Sequence, residues 1–497
     1  MTSSLSSPGR VPPAPDIPTP GNAIVGVLAF AGITAALMQT LVVPLIGDLP
    51  RLLDTSASNA SWVITVTLLA AAVATPVSGR LGDLYGKRRI MLICALVLIA
   101  GSVLCALSSS VVPMIVGRAL QGAEMGLVPL GVSAMRDLLP GEKLGRAIAL
   151  MSASMGIGAA LGLPIAAAVA DNTSWHVLFW GASVLAVIVG VLIYLFVPAT
   201  PITAVGRFDP IGAVGLGAGL VCLLLGVSKG ADWGWGSATT IGLLVGAVVI
   251  LLAWGWFELR TDDPLVDLRV TARPVVLLTN TASLVIGFSM YASSLIIPQL
   301  LQLPTETGYG LGQDMLQMGL WMAPGGFMMM LISPLGAKIS HLRGPKVTLA
   351  LGAVVISAGY LAAVLLMGST WGLLVAVCII NSGVGFAYGA MPALIMGSVP
   401  VSETGSANSF NTLTRSVGTS IAAAVVGVVL AQMTTGFGGY AVPSESGFRT
   451  GLVIAAAVAA LAALIASQIP NRASLEAEDR IEHPELAEDD DVVEGAR

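Results

Sequence analysis

Charged residues are scarce. Asp, Glu, Lys and Arg make up 10% of the 497 residues, against about 25% in soluble domains. So little charge cannot keep a chain of this size dissolved in water, and it offers no basic field for nucleic acid. Even the net charge of −5 is local: ten of the 28 acids and three arginines fall in residues 471–497, leaving that tail at −7 and the rest at +2. Three histidines and four cysteines are equally sparse. His176, His341 and His483 are too scattered for a zinc site. Cys94, Cys105, Cys222 and Cys378 lie in apolar stretches, with neither metal-ligand spacing nor a disulfide framework. No cofactor is therefore expected. The sequence has no G-x-x-x-x-G-K-[ST] for an ATP-driven pump and no cluster of catalytic groups for an enzyme. It also lacks the repeated charged rings or filter of a channel. Residues 1–22, rich in Ser and Pro, lack the parts of a cleaved signal and read as a disordered cytoplasmic leader.

Apolar residues are abundant, at 55%, with a mean hydropathy of +0.88. A bilayer core about 30 Å thick needs roughly 20 apolar residues per helix. Fourteen stretches meet that need: 23–46, 60–80, 90–108, 111–132, 149–170, 177–197, 209–227, 238–258, 275–299, 317–337, 347–367, 371–396, 405–432 and 449–469. Charge gives an independent check. With the N-terminus inside and the spans alternating, eighteen Lys and Arg fall on the cytoplasmic side and three outside, namely Arg51, Lys229 and Arg449. That is a strong positive-inside bias. The expectation is an all-α polytopic protein of the cytoplasmic membrane with both termini cytoplasmic.

The spans divide as six, two and six. A six-helix bundle is expected over residues 23–200, two inserted transmembrane helices over 208–258 and a second six-helix bundle over 270–469. Such related halves pack around a central path and rock against each other. Residues 434–448 read as a loop, and residues 470–497 as an acidic, solvated cytoplasmic tail.

Polar groups inside spans are costly and need a reason. Arg118, in the fourth span, cannot shed its charge. It either ties backbone carbonyls together or sets the protonation of a nearby acid, and both can hold. Gln121 follows three residues on and Glu124 six, read as roughly the same side of the helix. Glu124 is the carboxylate well inside a span of the first bundle, so it is the candidate for proton coupling, with Asp48 and Asp314 next in line. In the second half Asn408, Asn411 and Arg415 recur at three- and four-residue spacing, marking one polar helix face. With Asn381 and Asn280 they read either as a wet wall or as a packing network between helices. Trp321 and Met328 belong to a Met/aromatic cluster that suits varied apolar ligands or plain lipid contact. Gly158 and Gly162 form a G-x-x-x-G pair with Pro164 just beyond, a hinge, a tight seal or ordinary packing.

The run Gly79-Arg80-Leu81-Gly82-Asp83-Leu84-Tyr85-Gly86-Lys87-Arg88-Arg89 closely resembles the signature loop of the major facilitator superfamily. Arg118 with Gln121 and Gly122 looks like the family's fourth-span arginine motif, linked there to proton transfer. Gly158, Gly162 and Pro164 resemble the fifth-span motif of the antiporter branches, although Leu163 separates the usual Gly-Pro pair. The RSVG at 415–418 resembles a similar stretch in the second half. With fourteen spans, residues 23–469 are similar to the 14-helix drug:proton antiporter family. The resemblance implies that the signature loop, through Asp83, Gly79, Gly82, Gly86, Lys87, Arg88 and Arg89, stabilises the outward-facing state and gates conformational exchange. Two departures stand out. Leu37-Met38-Gln39-Thr40 holds Met38 where many members carry an acid, and the second-half copy of the signature, Gly336 to Gly344, has lost its acid. Both departures raise the weight on Glu124 and argue against dicationic substrates, with Met38 and Gln39 left as cavity candidates.

The expected function is export of amphipathic drugs or antibiotics by proton antiport with alternating access. The alternatives are proton-coupled export of an endogenous lipid, siderophore or metabolite, or a non-transporting sensor or scaffold. The partners expected are the small-molecule substrate, protons and membrane lipids, with the monomer as the working unit.

Overall fold

A computed structural model describes residues 21–470, except 43–44, 46–48, 203 and 438–439. The acidic tail, Asp48 and nearly all of the leader lie outside the described residues. Gly21, counted with the leader, already begins the first helix.

The described residues form fourteen helices long and apolar enough to cross a membrane. The first six are α1 (Gly21–Thr40), α2 (Ala57–Tyr85), α3 (Lys87–Leu107), α4 (Val111–Leu138), α5 (Gly141–Asn172) and α6 (His176–Phe196). An inserted pair follows, α7 (Pro210–Trp233) and α8 (Ala238–Glu258). The second set is α9 (Pro274–Gln302), α10 (Met315–Arg343), α11 (Pro345–Leu366), α12 (Thr370–Ser398), α13 (Thr404–Gln432) and α14 (Glu445–Ser467). Loops are short and helix starts are capped locally. Ser56 accepts from the Asn59 N–H, and Asp209 accepts from the Gly212 N–H with Pro210 in the first turn. Asp314, a reserve coupling candidate, forms a capping box with Gln317 at the start of α10. Each side-chain oxygen satisfies an N–H that the helix itself leaves unpaired.

The structure redraws three sequence boundaries. The signature run is mostly helix: α2 continues through Tyr85, and Gly86 alone turns the chain before α3 starts at Lys87. Gly86 has φ 92°, which strains any side-chain-bearing residue, and Gly344 repeats the turn in the second half with φ 87°. The fourth span reaches Leu138, with a 3-10 turn at Glu124–Gly126 interrupting it. The stretch read as loop contains an antiparallel pair, β1 (Thr434–Phe437) and β2 (Tyr440–Pro443). The Tyr309 hydroxyl donates to Pro443 O at 2.6 Å and fastens β2 to the α9–α10 loop.

Leu28, Met91, Leu130 and Ile193 anchor one cluster of the first half, and Val63, Leu98 and Phe179 anchor another. Ile286, Ile297, Tyr360 and Phe448 sit in a single larger cluster of the second half. Lipid tails are as apolar as leucine, so close contact between small residues, rather than apolar burial, sets where membrane helices meet. The two halves meet along two seams, α2 on α13 and α5 on α10. At the second, a Cβ on Gly156 would lie 2.6 Å from Gly326 O, so the two backbones touch. Leu216, Leu220 and Leu224 of α7 pack with Leu69 and Ala72 of α2 and with Leu413 of α13. The inserted pair thus covers the first seam, while Val245, Val249 and Leu252 of α8 point outward.

Candidate functional site: a latch, two buried polar groups and a cavity between the halves

The signature run builds a latch. Asp83, in the last turn of α2, is fully buried. Its carboxylate accepts the N–H of Gly405 at 3.0 Å and of Ser406 at 2.8 Å, at the start of α13. A carboxylate on the positive end of a helix is held by charge and by hydrogen bonds together. Lys87, also fully buried, lies 3.4 Å from Asp83 and 2.5 Å from Asp137 at the end of α4. Gly79 allows the approach, since a Cβ there would lie 2.6 Å from Gly405 O. Gly82 faces Leu130 in the same way. Arg88 donates to Tyr194 O at 2.5 Å and stacks on the Tyr194 ring, pinning α3 to α6, whereas Arg89 is exposed.

Sequence reasoning missed the other half of this latch. Arg136 donates to Thr404 Oγ1 at 2.6 Å and to Val399 O at 3.3 Å. Asn408 Nδ2 donates to Thr404 O at 3.0 Å and to Ser133 Oγ at 3.3 Å. The available signal was Arg136-Asp137 at a span end that the charge pattern placed on the same side as the signature run.

Arg118 and Glu124 do not pair. Six residues advance a helix by about 600°, which leaves Glu124 about 120° from Arg118 rather than on its side, and the 3-10 turn at Glu124 adds to the divergence. Arg118 donates to Gln121 Oε1 at 2.7 Å and to Val63 O at 3.4 Å, while Gln121 Nε2 donates to Ser102 Oγ at 2.9 Å. It therefore ties α4 to α2 and α3. Glu124 is 1% exposed, and neither of its oxygens meets a hydrogen-bond partner among the described residues.

A small cavity of about 30 Å³ lies between the halves. Val132 of α4 and Met151, Ser152 and Met155 of α5 line one side, and Tyr388 of α12 with Asn408, Asn411, Thr412 and Arg415 of α13 line the other. Asn408 and Asn411 border this space but are largely buried, and Asn411 Nδ2 donates to Asn280 Oδ1 at 2.9 Å. The wall is thus also a network joining α9 to α13. The remaining cavity candidates lie elsewhere. Met38 is buried in the cluster of Leu41, Val42 and Phe179, an apolar residue where apolar packing surrounds it. Gln39 is exposed and reaches Met125 Sδ at 3.7 Å. Asn381 turns back on its own helix, donating to Val377 O at 3.0 Å, and packs against Gly325. Trp321 donates to Gln313 at 2.8 Å and meets the exposed Trp371 edge-on. Met328 is half-buried away from the cavity lining. Gly158 and Gly162 face Ile33 and Thr40 of α1, inside the first half, and Pro164 packs against Gly319 of α10 across the second seam.

Comparison with known proteins fits this architecture. The chain is 32% identical over 288 residues to an uncharacterised MFS-type transporter, Rv1877, of Mycobacterium tuberculosis; the match takes in 56% of this chain and 41% of that protein. It is 26% identical over 414 residues to Multidrug resistance protein 3 of Bacillus subtilis, covering 81% of this chain and 78% of the relative. The fold superposes on the crystal structure of the human organic anion transporter MFSD10 with a TM-score of 0.63 at 15% identity, covering 90% of this chain and 99% of that one. The Major Facilitator Superfamily model matches twice, over residues 28–210 and 211–423, and the chain belongs to that superfamily.

Proposed function

We propose that this chain is a secondary active transporter that exports an amphipathic small molecule in exchange for protons, by alternating access, from a cytoplasmic membrane with both termini inside. The superfamily is one of carriers rather than enzymes, and no metal cluster occurs among the described residues. One observation carries the reading: a latch built from both halves closes one end of the molecule below a cavity lined by both halves. Breaking the bonds from Asp83 and Arg136 to the start of α13 frees that end to open. Exchange between the two openings then needs only a rotation of the halves about the α2–α13 and α5–α10 seams. On this reading Glu124, buried and with no hydrogen-bond partner among the described residues, is the proton-coupling group, and Arg118 holds the α2–α3–α4 frame around it.

Relatives named for multidrug resistance, lincomycin resistance and actinorhodin transport support export of amphipathic compounds in general. A substrate made by the cell, such as a metabolite, lipid or siderophore, fits better than a dicationic drug. The first span carries Met38 where an acid would attract a dication, and the residues lining the cavity include no acid. Purified protein in liposomes, with an imposed pH gradient and a panel of cationic, neutral and anionic amphipaths, tests the reading. Gradient-dependent flux of at least one compound is expected. A folded protein that moves none of them would favour the sensor or scaffold alternative.

A further inference from the structure

Among the described residues, Arg415 is the one charged side chain lining the cavity between the halves. Its surroundings differ from those of Lys87, Arg136 and Arg118. Lys87 has two carboxylates, Arg136 has a hydroxyl and a carbonyl, and Arg118 has an amide and a carbonyl. Arg415 donates one long hydrogen bond, from Nη2 to Thr412 Oγ1 at 3.4 Å. Among the described residues no carboxylate lies within ion-pair distance of it. Its guanidinium sits 4.6 Å from the centre of the Tyr388 ring. A cation over an aromatic face is oriented without being neutralised. The first-half wall opposite is apolar and adaptable, with Val132, Met151 and Met155. The cavity therefore presents an unneutralised planar cation on one half and a greasy, deformable surface on the other.

We propose that Arg415 binds the anionic head, of carboxylate type, of an amphipathic monoanion whose apolar body rests on Met151 and Met155. This inference rests on the export reading and gives its substrate a charge. A guanidinium matches a carboxylate with two parallel hydrogen bonds. The site is shaped against cations, because a cationic head would meet Arg415 with no acid to offset the repulsion. The cavity as it stands is too small for such a body, so the ligand enters as the halves part and then bridges them.

Binding is measured on the full-length protein in phosphatidylcholine nanodiscs, with naphthoate, naphthamide and naphthylmethylammonium as probes of one body and three head charges. Naphthoate is expected to bind about tenfold more tightly than the ammonium probe, with the amide between them. Arg415→Gln should erase the ranking, and Arg415→Lys should keep part of it, since a point ammonium retains charge but loses the fork. Equal affinities in the wild type, or an unchanged ranking in Arg415→Gln, would overturn the proposal. Should Arg415→Gln fail to fold, the wild-type ranking and Arg415→Lys decide. If phosphatidylglycerol in the nanodisc displaces naphthoate from the wild type but not from Arg415→Gln, the anion site stands with a lipid as its source. Because binding needs no gradient, anion binding without flux would sink the export reading alone, and gradient-driven flux of only the ammonium probe would sink this one alone.

Discussion

Asp83 and Ser406 lie 323 positions apart in the chain and are joined by a 2.8 Å hydrogen bond, carboxylate to backbone N–H, between fully enclosed partners. The bond runs from the last turn of α2 in one half to the start of α13 in the other. It exists only in a conformation where these ends meet, so its strength is part of the free-energy difference between two states of the molecule.

Asp83→Asn keeps the shape but removes the charge, and with it the ion pair to Lys87 and one of the two acceptor oxygens. A charge-assisted hydrogen bond of this kind is worth about 1.5–3 kcal/mol. The latched state should lose roughly tenfold or more in population relative to the open one. Proteoliposome turnover should fall while protein level and monodispersity hold. A normal turnover rate would count against the latch.

Arg118→Ala should abolish transport, and Arg118→Lys should restore little of it. The guanidinium reaches both Gln121 and Val63 O, and a single ammonium cannot span that pair of directions. Flux assays on both variants decide. A lysine variant with wild-type rate and coupling would show that the geometry of Arg118 is dispensable.

Glu124→Gln preserves size and removes a proton site that meets no hydrogen-bond partner among the described residues. The variant should still bind substrate but lose the pH dependence of binding, measured between about pH 5.5 and 8.5. Gradient-driven flux should vanish with it. Unchanged proton-driven flux would move coupling to another acid.

Gly156→Val places a branched side chain where the backbones of α5 and α10 touch, and overpacking of this kind costs about 1–3 kcal/mol. Gly181→Ala, at a glycine with open space around it, serves as the control and should be neutral. Thermal unfolding in detergent compares the two. Equal midpoints would mean that the seam is loose.

Reporter fusions after residue 172 and after residue 205 should land outside and inside respectively, as the eighteen-to-three split of Lys and Arg requires. Both reporters on one side would refute the topology.

The helices were legible because each apolar run is long enough to cross a bilayer. The signature run was legible as a motif, and its Gly86 turn follows from one residue. What those residues bind was not legible. Asp83 finds its partners at Gly405 and Ser406, a pairing over a chain separation that no local spacing encodes. Arg118 and Glu124 were misread as facing together because two helical turns take about seven residues, not six. Composition also cannot tell a cavity from lipid or from a core. Met38, Trp321 and Arg415 all looked like possible lining, and of these only Arg415 reaches the cavity. Gly156, two residues before the G-x-x-x-G pair, is one point where the two halves touch backbone to backbone, and Gly79 against Gly405 is another.

The helix α7 leans on α2 and on α13 at once, through Leu216, Leu220 and Leu224. Each half therefore holds one side of it. When the halves turn, α7 cannot keep both contacts unchanged, and the outline that the molecule shows to the surrounding acyl chains must change as well. On the export reading, work done against the bilayer then enters the transport cycle. On that reading membrane thickness and lateral pressure bear on the rate, acting through a pair of helices that supplies none of the described residues lining the cavity.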